Sequence, residues 1–314
     1  MIDTTRRRLL LGALGAASAA LWPRPMAGQQ AMRPRTRLIL LGTGGGPRPK
    51  RTRSAPAQVV LVDDVPYVVD CGDGVARQLA LAGVPLPALR HVFITHHHSD
   101  HNADYGNLIL LAWAAGLRTP VDTWGPPPLA QMTRQFFEMN AADITTRMAD
   151  EGRVPLAPLV RAHDLTDAGI VLRDERVTVT AAIVSHPPVT PAFAFRFDGP
   201  GRSIVISGDT ARSDALISLA RGADVLVHET LYVPAVDRIV ASIPNAATLK
   251  QHIIDSHTAV EDCGRVAEAA GVKTLVLSHF VPTDDPAVTD EMWLAAARAH
   301  FRGTVILGRD LLEV

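Results

Sequence analysis

The sequence predicts a layered α/β sandwich, and three observations carry that expectation. Short β-branched runs alternate with helical stretches along most of the chain. No internal repeat or low-complexity linker divides it. Four of the apolar runs end, at their carboxyl side, in a histidine or an aspartate.

Taken in order, strands are expected at residues 37–41, 58–62, 67–69, 92–95, 177–184, 192–197, 203–207, 225–227, 274–277 and 304–307. Each is a short Val/Ile/Leu/Thr-rich run bounded by Gly, Pro or Asp. Helical periodicity falls between them at 74–82, 105–115, 128–139, 214–221, 258–270 and 289–299. Thr258-Ala-Val-Glu261 reads as a capping box opening the fifth helix. Residues 118–165, rich in Pro and polar residues, read as a surface insertion able to roof a site. Strands with helices on both sides imply one catalytic domain over residues 31–314.

The first thirty residues read as a targeting segment. Thr5-Arg6-Arg7-Arg8-Leu9-Leu10 puts paired arginines before an apolar run that ends at Trp22, with a small-residue cleavage site near Ala27. The pattern resembles a twin-arginine export signal, which implies a periplasmic or secreted protein with no membrane contact after cleavage. Losing residues 1–27 leaves 27 basic and 31 acidic residues, net −4. That balance argues against a broad nucleic-acid footprint. The two cysteines, Cys71 and Cys263, match no metal knuckle and are expected as buried or reduced thiols.

The strand ends carry the chemistry. His96 follows Val92-Phe-Ile-Thr, and His186 follows Thr180-Ala-Ala-Ile-Val-Ser. Asp209 follows Ser203-Ile-Val-Ile-Ser-Gly, and His279 follows Thr274-Leu-Val-Leu-Ser. One such histidine is an ordinary loop residue; four at equivalent places indicate a shared metal crevice. The run His96-His97-His98-Ser99-Asp100-His101 adds two pairs from one tight segment, His96 with His98 and Asp100 with His101. Imidazole and carboxylate suit two divalent ions, zinc foremost, with manganese or iron also compatible.

His96-x-His98-x-Asp100-His101 resembles the hallmark of the metallo-β-lactamase superfamily, in a likeness running from Leu41-Gly-Thr-Gly44 through Asp70-Cys-Gly-Asp-Gly74 to Ser278-His279. The resemblance implies a four-layer αββα metallo-β-lactamase sandwich. It assigns His96, His98 and His186 to a first metal, Asp100, His101 and His279 to a second, and Asp209 as the bridging carboxylate. Val227-His228-Glu229-Thr230 and Ser256-His257-Thr258 resemble the ribonuclease Z and arylsulfatase-like branch, which keeps a Glu–His pair beside the metals. On that likeness Asp100, Glu229 and His257 are the catalytic groups, with His257 as proton donor oriented by Glu229. Asp70 is expected to hold a ligand histidine by its free ring nitrogen, and His97 and His228 to point away from the ions.

Two departures steer the expected substrate. Ser99 and Asp104 stand where tRNA-processing members usually have Gly, and residues 140–165 hold no basic arm. The sequence therefore reads as an exported hydrolase of sulfate or phosphate esters, its nucleophile a hydroxide shared by two metals. The expected substrate is a small anionic ester rather than nucleic acid, and a homodimer is allowed. A carbonyl-cleaving lactonase or β-lactamase is the alternative, disfavoured by the Glu–His pair and by Asp rather than Cys at 209. A non-catalytic binding protein is a poor third, because all seven ligand positions are occupied. Gly42-Thr-Gly-Gly-Gly46 lacks dinucleotide spacing and reads as a turn at the site rim whose amides face substrate. His163, His252 and His300 read as surface or packing residues.

Overall fold

The computed structural model describes residues 35–244 and 246–314. The export-signal reading of residues 1–30 lies outside them. The described chain forms two sheets. In the first, β1 (Thr36–Gly42), β2 (Ala57–Val62), β3 (Val65–Val69), β4 (His91–Phe93), β5 (Val121–Gly125) and β6 (Val160–Asp164) lie in sequence order. The first three pair antiparallel and the rest parallel. The second holds β7 (Gly169–Arg173), β8 (Thr178–His186), β9 (Val189–Gly199), β10 (Arg202–Ile206), β11 (Val225–Leu231), β12 (Thr274–Val281) and β13 (Thr304–Leu307), again in order. Here β10 to β13 run parallel.

Period-two alternation explains the four layers. Leu38, Leu40, Val60, Tyr67 and Phe93 of the first sheet meet Phe193, Phe195, Phe197, Ile204 and Val227 of the second in one buried cluster. The Phe93 ring packs 5.3 Å from Phe195 and 5.4 Å from Phe197, centroid to centroid. Burying each such ring contributes roughly 1.5–3 kcal/mol. The opposite faces take helices. Ile39, Leu41, Val59 and Val92 pack against α1 (Val75–Leu81) and α3 (Tyr105–Ala114), which follows the single-turn α2 (Ser99–Asn102). Next along the chain come α4 (Leu129–Met139) and α5 (Ala141–Asp150). On the second sheet Val205, Leu226, Leu275 and Leu277 pack against α6 (Asp214–Ala220), α9 (Val260–Ala270) and α10 (Asp290–Arg298). Between α6 and α9 lie α7 (Val236–Ala241) and α8 (Leu249–Ser256). The expected αββα sandwich is the observed architecture.

Residues 118–165 differ from the expected surface insertion. They supply β5 and β6 to the first sheet, with α4 and α5 between. Val121 and Trp124 are buried there, and Leu129 and Leu156 join the helix–sheet core. The capping box is also corrected. Helix α9 begins at Val260 with no side-chain cap, and the Thr258 hydroxyl instead donates to Thr210 O at 2.6 Å. Cys71 and Cys263 are buried free thiols. Among the described residues no helix is long and apolar enough to cross a membrane.

Candidate metal centre

The carboxyl ends of β4, β8, β10 and β12 converge. His186 is the last residue of β8, His96 lies three residues past β4, and Asp209 three past β10. His279 is reached differently. Strand β12 runs on through it, and the pairing Glu229↔Ser278, Thr230↔Phe280 skips it as the extra residue of a bulge at φ 49°. The bulge turns a mid-strand ring into the crevice. Two close approaches fix the surroundings. A Cβ on Gly45 would fall 2.6 Å from His279 Nδ1, and one on Gly208, at φ +60°, 2.7 Å from Phe193 O.

Three donor groupings result. His96, His98, His186 and Asp209 form the first cluster; Asp100, His101, Asp209 and His279 form the second; Glu229 and His257 adjoin the second through His279. In the first, His98 Nδ1 lies 3.1 Å from both His96 Nε2 and His186 Nε2, and His96 Nε2 lies 3.8 Å from Asp209 Oδ2. In the second, Asp209 Oδ1 lies 3.3 Å from His101 Nε2 and 3.2 Å from His279 Nε2. Asp100 Oδ2 is 3.6 Å from His101 Nε2 and 3.4 Å from His279 Nε2. Donors about 2.0–2.1 Å from a tetrahedral ion stand roughly 3.3–3.4 Å apart, so these spacings suit an ion at each centre. Asp209 turns one oxygen to each cluster. Its Oδ1 and His101 Nε2 are buried with no hydrogen-bond partner, which fits donors aimed at a cation.

Ring tautomers agree with that fit. His186 Nδ1 donates to Ser256 O at 2.8 Å and His101 Nδ1 to Asp70 Oδ2 at 2.8 Å, so each keeps a lone pair on Nε2. Asp70 also accepts from the Thr95 amide and hydroxyl, and His96 Nδ1 donates to Thr95 Oγ1 at 3.0 Å. One carboxylate therefore orients a histidine of each cluster. Burial, then neighbouring histidines, push His98 down to about 4 and His96 well below the ordinary range. Burial also lowers His101, but Asp209, Asp70 and Asp100 outweigh it and raise it well above. Three carboxylates that hold a proton among protein groups alone favour a divalent cation equally. His97 faces away, with Nε2 donating to Pro126 O at 2.7 Å, and His228 Nδ1 donates to Glu229 O at 2.7 Å.

The Glu–His pair stands beside the clusters. His257 Nδ1 lies 3.4 Å from Glu229 Oε2 and 3.9 Å from Asp209 Oδ2. Glu229 Oε1 accepts from the Thr258 amide at 2.7 Å, which fixes the carboxylate. The Gly42–Gly46 turn does not present its amides to substrate as expected: Gly46 N donates to Asp100 Oδ2 at 2.9 Å and Gly45 N to Phe280 O at 3.1 Å. Sequence reasoning missed two features. His252, read as a surface or packing residue, has its ring 5.9 Å from His98 and 6.2 Å from His186, between centroids. A hollow of about 630 Å³ opens beside Ser99 and Asp100, lined by Arg48, Lys50, Arg51, Arg53 and Arg77.

Comparison with known proteins agrees with this architecture. The beta-lactamase superfamily domain matches residues 66–280, and the chain belongs to that superfamily, on its ribonuclease Z branch. Ribonuclease Z of Mycobacterium bovis is 35% identical over 280 residues, covering 88% of this chain and 97% of the relative. That of Mycobacterium avium is 36% identical with the same coverage. Among solved structures, YhfI of Bacillus subtilis, a metallo-β-lactamase fold protein, matches with TM-score 0.65 at 19% identity, over 89% of this chain and 98% of that one. Human short-form tRNase Z matches with TM-score 0.64 at 21% identity, over 88% and 98%. The chain is a metal-dependent hydrolase of ester bonds, and its cofactor is a pair of divalent ions, zinc by its donor set.

These relatives overturn three expectations. The sulfate-ester and lactone readings give way, because the chain matches ribonucleases along nearly their whole length. The exclusion of nucleic acid falls for the same reason. Net charge misled it, since a sum over the chain hides a local excess such as the five cations that share one hollow with Asp73, Asp100 and Asp310. Asp104 misled it too: its carboxylate accepts from the Gly74 amide at 2.8 Å and serves the loop. The periplasmic placement is corrected as well: it went with the sulfate-ester reading, and the ribonuclease Z relatives do not support it.

Proposed function

We propose that this chain is a metal-dependent phosphodiesterase of ribonuclease Z type that cleaves RNA, with tRNA precursors as its substrate class. The reading is carried by one observation: 35% identity to a ribonuclease Z over 97% of that enzyme, with the two donor clusters and the Glu229–His257 pair assembled in one crevice. In this reading His96, His98 and His186 would hold one ion and Asp100, His101 and His279 the other, with Asp209 offering an oxygen to each.

When bound, the ions supply Lewis acidity to the phosphoryl group and lower the pKa of water. The protein supplies the rest. His257 keeps Nδ1 towards Glu229, leaving Nε2 to hold a proton for the departing ribose oxygen. Glu229, fixed by the Thr258 amide, stabilises the charged ring. Arg48, Arg51 and Arg77, all exposed along the hollow beside Asp100, suit the phosphates that flank the scissile one. Gly46, through its amide, keeps Asp100 turned towards the second cluster.

The test is incubation of the zinc-loaded protein with a tRNA precursor carrying extensions at both ends. Cleavage at a single phosphodiester is expected, abolished in Asp209→Ala together with metal content. An intact precursor, under conditions where bis(p-nitrophenyl) phosphate is hydrolysed, would exclude RNA as the substrate.

A further inference from the structure

His252 stands at the site without a task in the chemistry above. It lies on α8 one turn before Ser256, partly exposed, with its ring centroid 5.9 Å from His98, 6.2 Å from His186 and 6.4 Å from His257. Its tautomer can be read from its neighbour. The Ser256 hydroxyl has one proton and donates it to Pro187 O at 2.5 Å. Ser256 Oγ must then accept from His252 Nδ1, 3.3 Å away. That leaves Nε2, on the far edge of the ring, as a bare acceptor. A neutral imidazole with its proton on Nδ1 accepts at Nε2.

An acceptor beside a phosphodiester needs a donor, and the phosphate has none. Its oxygens only accept, and so do the ester and ring oxygens of the adjoining sugars. Among the sugar and phosphate groups at an internal linkage, the one with a proton to give is the ribose 2′-hydroxyl. We propose that His252 is a specificity residue that accepts a hydrogen bond from the 2′-hydroxyl flanking the scissile phosphate, and so favours RNA over DNA at the point of cleavage. The proposal rests on the RNA reading above.

The experiment uses the zinc-loaded full chain and one tRNA precursor made in three forms: all-ribose, and with a single 2′-deoxy sugar on either side of the scissile phosphate. Wild type is expected to lose about tenfold in kcat/KM on one deoxy form, the worth of one good hydrogen bond. His252→Ala should lose a similar factor on the all-ribose form and nothing further on that deoxy form, the signature of a coupled pair. His252→Gln, which offers an amide oxygen, should recover part of the loss. Metal content and bis(p-nitrophenyl) phosphate hydrolysis should match wild type in both variants, showing that the fold and the centre are intact. Equal deoxy penalties in wild type and His252→Ala would overturn the proposal, as would no penalty in wild type. If wild type leaves the all-ribose form uncut while hydrolysing the aryl diester, the RNA reading has failed first and takes this inference with it.

Discussion

Asp70 Oδ2 and His101 Nδ1 lie 2.8 Å apart, both residues buried to within 2% of full enclosure. Through Thr95 the same carboxylate also reaches His96. Asp70→Asn preserves the shape but removes the charge that fixes both rings. Zinc affinity should fall about 10- to 100-fold, read by competition with a chelator. Affinity within error of wild type would show that the rings hold themselves.

Gly45 should tolerate no side chain. Its absent Cβ leaves the space taken by His279 Nδ1 and Val281 Cγ2, at 2.6 and 2.7 Å. Gly45→Ala should displace His279, cut zinc content from two ions towards one, and slow aryl diester hydrolysis by about 100-fold, the cost of an ångström-scale misplacement. Elemental analysis beside the rate separates lost metal from misplaced metal.

His257 gives a pH prediction for the metal-free protein. Burial lowers its pKa, but Glu229, with Asp209 and Asp100, more than reverses this and raises it to about 9. A folded pKa above the unfolded value of about 6.5 stabilises the fold fully below that pH, and the contribution is lost as pH rises through about 9. Ring titration by NMR on chelator-treated protein should find it there, and Glu229→Gln should bring it down. A His257 that titrates near 6.5 in the untouched protein would show that Glu229 does not hold its proton.

The basic hollow should be felt by RNA and by no small substrate. Arg48→Ala, Arg51→Ala and Arg77→Ala should each weaken RNA binding and reduce the slope of log affinity against log salt by about 1. Hydrolysis of bis(p-nitrophenyl) phosphate should stay unchanged. An unaltered salt slope in all three variants would remove the hollow from the RNA path.

Strands β1, β2 and β11 were legible because both of their faces are buried, so each carries an apolar run, Leu38–Leu41, Val59–Val62 and Val225–Val227. Strands β6 and β7 were not. They are sheet edges, largely exposed, and Arg161, His163 and Asp164 mask the pattern. Strand β5 is hidden between Pro120 and Pro126, with Asp122 as its second residue. The donors were visible wherever they ended a strand, whereas the bulge that carries His279 leaves no mark in composition. His252 was missed because its meaning depends on α8, a two-turn helix of mixed polarity that packs beside His186 and His98, both distant in sequence. The substrate was misread for a plainer reason. A net charge summed over the chain says nothing about where the arginines gather.

Both clusters draw on both halves of the chain. His96, His98, Asp100 and His101 hang from the first sheet, and His186, Asp209 and His279 from the second. Each half brings only two donors to either cluster, so a full donor set exists only where the two sheets are docked. Once captured, the ions act as a clasp between the two halves, and a chelator strips the enzyme of a tether as well as a catalyst.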